Sequence, residues 1–210
     1  MRSIATVTTA PEYQALTTLD RVKLELGETS SVYDALLTAK ILEASADIES
    51  HLTRMLPRAG LTERFWGEPW CVEYLMLARW PVAEITSVTV DDVAVDDDEY
   101  RLDEETGHLY RLDESGYPSV WEWCKDIVVV YTGGYLMPEE TSPTLPASLE
   151  GAAVELVASY WLSRGRDPKV RSESIPGLSE VSYWVGSVGA QGDLPPSVIS
   201  KISPFRRAQI

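Results

Sequence analysis

Apolar positions recur at spacings of three and four in the outer parts of the chain, and at a spacing of two through its middle. Leu19, Val22 and Leu26 form a short stripe that Thr17 or Thr18 caps and Gly27 stops, which predicts a first helix. Ser30 or Ser31 opens a longer one. Its inward face is Tyr33, Leu37, Ile41, Ala44, Ile48, Leu52 and Met55, and Pro57 with Gly60 ends it. Lys40, Glu43, Asp47 and Arg54 fall on the opposite, solvated face. A third helix begins near Pro146, where a missing N–H costs nothing, and runs through Leu149, Ala152, Ala153, Leu156, Val157 and Tyr160 to a left-handed cap at Gly165. Pro195 and Pro196 start a short fourth helix with Val198, Ile199 and Ile202 on its apolar side, stopped by Pro204.

Between the second and third helices the period is two. Residues 63–66, 70–77, 85–90, 100–102, 108–112, 120–123 and 127–132 read as short strands. Turn residues separate them at 67–69, 91–92, 105–107 and 115–118, and Gly133–Gly134 leads back towards the helices. The expected fold class is α+β: a small helical bundle with an inserted antiparallel β-sheet or small barrel, and an extended C-terminal tail. The expected division is an N-terminal arm and helices (1–61), the β insertion (62–134), a return helix completing the bundle (135–165) and an interaction segment with tail (166–210). Residues 1–12 read as a poorly ordered or partner-dependent arm.

One segment obeys neither period. Residues 166–185, RDPKVRSESIPGLSEVSYWV, carry Ile175, Leu178, Tyr183 and Trp184 in a context where a solvated loop has no use for them. Something covers those side chains.

Composition sharpens this picture. At 210 residues with 44% apolar content, the chain is long enough for a sizeable core, and wholesale disorder is excluded. No apolar run approaches a membrane span, and the N-terminus lacks a signal-peptide core, so the expectation is a cytoplasmically made protein. The formal charge is −15, unevenly placed. Residues 84–114 hold 12 acidic side chains against Arg101 and Arg111, a net −10. From Gly165 onwards 6 basic residues face 4 acidic ones, a net +2. Tight DNA binding by phosphate neutralisation does not suit such a chain, whereas association of like copies, tail to middle, does.

Candidate chemistry is sparse. Cys71 and Cys124 have no second thiol or histidine nearby and read as reduced core thiols. His51 and His108 lack a nucleophile or carboxylate at triad spacing. There is no P-loop, dinucleotide fingerprint or HExxH motif. The run Asp91, Asp92, Asp96, Asp97, Asp98, Glu99 lacks the glycine of a calcium loop and reads as a solvated hairpin edge. Trp121 and Trp123 alternate onto one face, which suits a core, a protein-binding surface or, more weakly, a sugar platform. No cofactor, metal or enzymatic activity is expected.

The order of local phrases carries more. LTTLDRVKLEL leads into a helix ending ADIESHLTR, followed by LARWPVAEITSVTV, DEYRLDEETGHLYRL and IVVVYTGGY; then come LEGAAVELVASYWLSR, the irregular segment and ISPFRR. In that order the chain resembles the head–tail connector proteins (adaptor or head-completion proteins) of long-tailed bacteriophages and their gene-transfer-agent relatives. The resemblance covers most of the chain and implies a structural part of a virion or phage-like particle at the portal vertex, assembled in the bacterial cytoplasm. It implies a dodecameric ring under the portal protein that extends the DNA channel and receives stopper or tail proteins, with DNA only passing through and no membrane partner. The stopper or tail-completion role is the neighbouring alternative, and a carbohydrate-binding module a more distant one.

On that reading Arg171, Ser172, Glu173, Ile175, Leu178, Tyr183 and Trp184 form the subunit interface. Ile199, Ile202, Phe205, Arg206 and Arg207 dock on the portal, because an aromatic beside guanidiniums suits an interface anchor; by composition alone a tail that folds back on its own subunit fits equally well. Asp96, Asp97 and Asp98 face the channel, where acidic side chains keep DNA from sticking.

Overall fold

The computed structural model describes residues 2–66, 71–122, 125–164, 172–175, 179–182 and 194–206. In chain order the strands and helices are β1 (Arg2–Thr9), α1 (Leu19–Leu26), α2 (Asp34–Leu52), β2 (Ala59–Trp66), β3 (Tyr74–Met76), β4 (Val82–Val90), β5 (Val93–Ala94), β6 (Tyr100–Asp103), β7 (His108–Leu112), β8 (Pro118–Ser119), β9 (Ile127–Gly133), α3 (Ala147–Ser163), β10 (Ser172–Ile175), β11 (Ser179–Ser182) and α4 (Pro196–Ile202). The class is α+β, and among the described residues the strands form open sheets without closing a barrel. The chain divides into two compact units: Met1–Tyr13 with Met55–Leu136, and Gln14–Arg54 with Met137–Ile210.

The first is a β unit. Its larger sheet has the order β1-β2-β9-β4-β5, and the smaller pairs β3-β7-β6 with β8 also on β7. The alternation expected of a half-buried strand is plain in β9, where Ile127, Val129, Tyr131 and Gly133 point inward. β2 does the same with Ala59, Leu61, Glu63 and Phe65. Leu75, Leu77, Leu109 and Trp121 join that core. The expected strand at 120–123 shrinks to an isolated bridge between Val72 and Trp121, while a two-residue strand forms just before it at Pro118–Ser119.

Within the stretch 1–12, expected to be a poorly ordered or partner-dependent arm, residues 2–9 are ordered as a strand. They form β1, antiparallel to β2 from Arg2↔Trp66 to Thr9↔Gly60. The side chains of β1 are exposed at all but one position, so the strand is held by backbone pairing, and an apolar stripe is not there to be read.

The second is a helical unit centred on α3, which packs against α1, α2 and α4. Leu37, Ile41, Ala44, Ile48 and Leu52 of α2 face Leu149, Ala153, Leu156 and Val157 of α3 across a fully buried core. Thr18 caps α1 by accepting the Arg21 N–H at 3.2 Å, and Gly27 ends it at φ 64°. α2 starts at Asp34 and stops at Thr53, itself left-handed at φ 55°. Tyr33 and Met55, expected inside, are therefore beyond its ends and exposed. Arg54 moves the other way: past the helix end it no longer shares the solvated face and is only 5% exposed.

Cys71 also departs from expectation. It lies ahead of β3 and is exposed, so it is not a core thiol, and Cys124 falls outside the described residues.

Candidate interaction surfaces

Three regions carry the residues singled out from the sequence. The first is the segment after α3. Arg171, Leu178, Tyr183 and Trp184 fall outside the described residues, and Ser172, Glu173 and Ile175 lie on β10. β10 pairs with β11 from Ser172↔Ser182 to Ile175↔Ser179, and the two strands make a sheet by themselves.

The second is the end of the chain. α4 begins after Pro195, whose fixed φ suits a helix entry, and turns at Ser203–Phe205 into a short 3-10 segment. Val198 and Ile202 are fully buried within the helical unit. This corrects the portal-docking set, because the Ile202 side chain is already occupied in its own chain. Ile199 and Phe205 are half-buried, Arg206 is exposed and Arg207 lies outside the described residues. Two polar ties hold this end down. Lys201 Nζ bonds Glu155 Oε2 at 2.6 Å, which with Ser197 holds the Glu155 carboxyl below the usual range. Buried Arg54 donates from Nη1 to the Phe205 carbonyl at 3.4 Å.

The third is the acidic loop at the edge of the larger sheet. Asp91 and Asp92 adopt φ 49° and 65°, the left-handed pair that a two-residue hairpin demands, and close β4 onto β5 through Val90↔Val93. Lys125 bonds Asp91 at 2.7 Å and thereby lowers its pKa. Asp96, Asp97 and Asp98 are all exposed, and they sit together at the start of a 3-10 turn in which the Asp96 N–H donates to Glu99 Oε2 at 3.2 Å. Tyr100 donates its hydroxyl to Asp97 at 2.7 Å, and desolvation followed by that carboxylate pushes the phenol up to about 12.

Beside this loop lies an open-sided groove of about 560 Å³, floored by Val95, Trp121 and Ile127 and rimmed by Glu99, Arg111 and Lys125. Arg111 reaches Glu99 at 3.2 Å and stacks over the Trp121 ring with its guanidinium carbon 5.7 Å from the centroid. Trp121 is 1% exposed and donates Nε1–H to the Leu109 carbonyl at 2.9 Å. It is a core residue with no open face for a sugar. Trp123 lies outside the described residues. His108 packs on the Tyr74 ring at 4.3 Å. Among the described residues, no three His, Cys, Asp or Glu side chains converge in a way that could hold a metal ion.

Sequence periodicity missed β1 as a sheet edge and Arg54 as a buried anchor. The first leaves a weak signal in its β-branched composition; the second leaves none.

No protein-family model matches the chain, and no curated protein matches it. Solved structures do. The chain is similar to one in the neck of an empty gene transfer agent (GTA) particle computed with C6 symmetry, at a TM-score of 0.60 and 19% identity, covering 99% of this chain and 97% of that one. A chain of the virion of the native gene transfer agent particle gives 0.60 at 18% identity, with the same coverage. A third, from the neck of the native particle computed with C12 symmetry, gives 0.56 at 18%, again with the same coverage. At these identities the likeness is one of fold, and it extends over nearly the whole chain, with both units included: the protein has the fold of a gene transfer agent neck component.

Proposed function

We propose that the protein is a non-enzymatic adaptor that forms a dodecameric ring beneath a portal, extends the DNA channel and joins head to tail. The observation that carries this reading is the nearly full-length likeness to chains of particle necks, one of them computed with C12 symmetry. A ring of identical copies needs a heterologous contact, in which one patch meets a different patch of the next copy. The segment around Ile175, Leu178, Tyr183 and Trp184 supplies one such patch. Phe205 and exposed Arg206 contact the portal, with Arg207 beside them in sequence. Asp96, Asp97 and Asp98 flank the channel and repel the DNA backbone.

The deciding experiment is to size the purified chain alone and after mixing with portal protein. An adaptor joins the portal in about twelve copies, following the symmetry of the related neck. A stopper or tail-completion protein ignores the portal and binds the adaptor ring instead. A chain that stays monomeric with every neck component present rejects the structural role.

A further inference from the structure

The two edges of the larger sheet are unlike. At one, β5 is two residues long, and the left-handed pair Asp91 and Asp92 precedes it while Asp96, Asp97 and Asp98 follow. So short and charged an edge offers little to pair with. At the other, β1 presents eight residues, bonded to β2 along its inner side. From Ser3 to Thr9 it holds no charge, no proline and no glycine, and five of the seven residues are β-branched. Edge strands left facing water are ordinarily blunted by charges, bulges or prolines; β1 has one register shift, between Val7 and Thr9, and its uncharged run from Ser3 to Val7 keeps regular register, a template for another strand.

The chain also carries a strand pair without a sheet to join. β10 and β11 are four residues each, and among the described residues they pair only with each other. Isolated two-stranded hairpins are marginal in water, and a third strand makes the difference. Within one chain, the hairpin and β1 belong to separate sheets.

We propose that the β10–β11 hairpin of one copy adds to the outer edge of β1 in a neighbouring copy, extending the five-stranded sheet to seven strands across the subunit boundary. Backbone hydrogen bonds supply the attachment, as in other strand-addition interfaces, and the apolar side chains flanking the hairpin supply the burial. Donor and acceptor are different surfaces, so the contact passes from copy to copy and can close a ring. This inference rests on the ring reading above and names the surface that receives the irregular segment.

Cross-linking between singly substituted copies tests it. In a Cys71→Ser, Cys124→Ser background, chains carrying Thr6→Cys or Thr8→Cys are mixed with chains carrying Ser174→Cys or Val181→Cys, assembled with portal, and treated with a short bis-maleimide. The expected product joins β1 of one copy to the hairpin of another, and deletion of residues 172–182 removes both this product and the ring. Joining of β1 only to β1 would overturn the proposal in favour of a symmetric dimer. So would a link that forms in a doubly substituted control chain but not between singly substituted copies, or a deletion variant that still closes rings. Rings without any link reject strand addition but keep the adaptor reading; links without rings keep strand addition and reject the adaptor reading.

Discussion

Glu63 is fully buried at the centre of the β unit, on the inward side of β2 between Leu61 and Phe65. Its Oε2 accepts the Tyr131 hydroxyl at 2.9 Å and the Ala78 N–H at 2.8 Å, while its Oε1 has no hydrogen-bond partner among the described residues. Tyr131 in turn accepts the Arg79 N–H at 3.2 Å. Burial first, and the Glu63 carboxylate second, hold the Tyr131 phenol far above its usual range. The folded chain thus keeps a proton that the unfolded chain releases near pH 10, so this contribution to stability is whole below about pH 10 and is lost as the pH rises beyond it. Urea unfolding from pH 8 to 11 should show that loss, and Tyr131→Phe should flatten it while costing about 1–3 kcal/mol at neutral pH through the bond removed from Glu63. Tyr160, raised by burial and by Asp47, keeps some slope in the variant. Read from sequence as a strand that begins at 63, this stretch does not reveal that Glu63 continues the inward row of Ala59 and Leu61, and its partners at 78 and 131 are set by pairing that no local pattern encodes. At the exposed loop, replacing Asp96 and Asp98 with lysine leaves the Asp97–Tyr100 bond alone. Such a variant should fold normally and slow DNA ejection from assembled particles; unchanged ejection puts the loop outside the channel.

Among the elements, α1 is the most completely written in the sequence, since both of its ends are side-chain or glycine signals. Thr18→Ala should cost about 1 kcal/mol in thermal or denaturant unfolding, the usual loss of a cap. The end of β9 is specified as locally, but for a steric reason that only the fold reveals. A Cβ at Gly133 would collide with the Arg79 carbonyl oxygen, and one at Gly134, where φ is 104°, would stand 2.6 Å from the Pro57 carbonyl oxygen. β1 is the reverse case: its pairing is entirely between main chains, so reading for apolar stripes leaves it as an arm. α4 shows the limit of reading a single helix face. Val198, Ile199 and Ile202 look equivalent in sequence, yet Val198 and Ile202 are buried against their own unit and Ile199 only in part. Ile202→Ala should therefore destabilise the chain by about 2–5 kcal/mol in equilibrium unfolding. Arg206→Glu should leave unfolding unchanged and weaken portal capture in a pull-down.

At the scale of the molecule, each unit is stitched from separated stretches: residues 1–13 join 55–136, and 14–54 join 137–210. The helical core closes only when α3 and α4 return to α1 and α2 across the whole β insertion, so folding depends on contacts distant in sequence. Periodicity gave the four helices and most of the strands between the second and third in their right order, and the ordered phrases pointed to a neck component. Neither could show that the first strand completes a sheet begun fifty residues later. That sheet has one receptive side and one sealed by a two-residue strand amid carboxylates. Fibrils need strands to stack on both sides; a layer that accepts on one flank alone stops after a single addition. Concentrated chains freed of their hairpins should consequently stay clear of thioflavin-positive aggregates despite the bare β1, and neutralising the carboxylates beside the sealed flank by Asp96→Asn and Asp98→Asn would be the change most apt to weaken that protection.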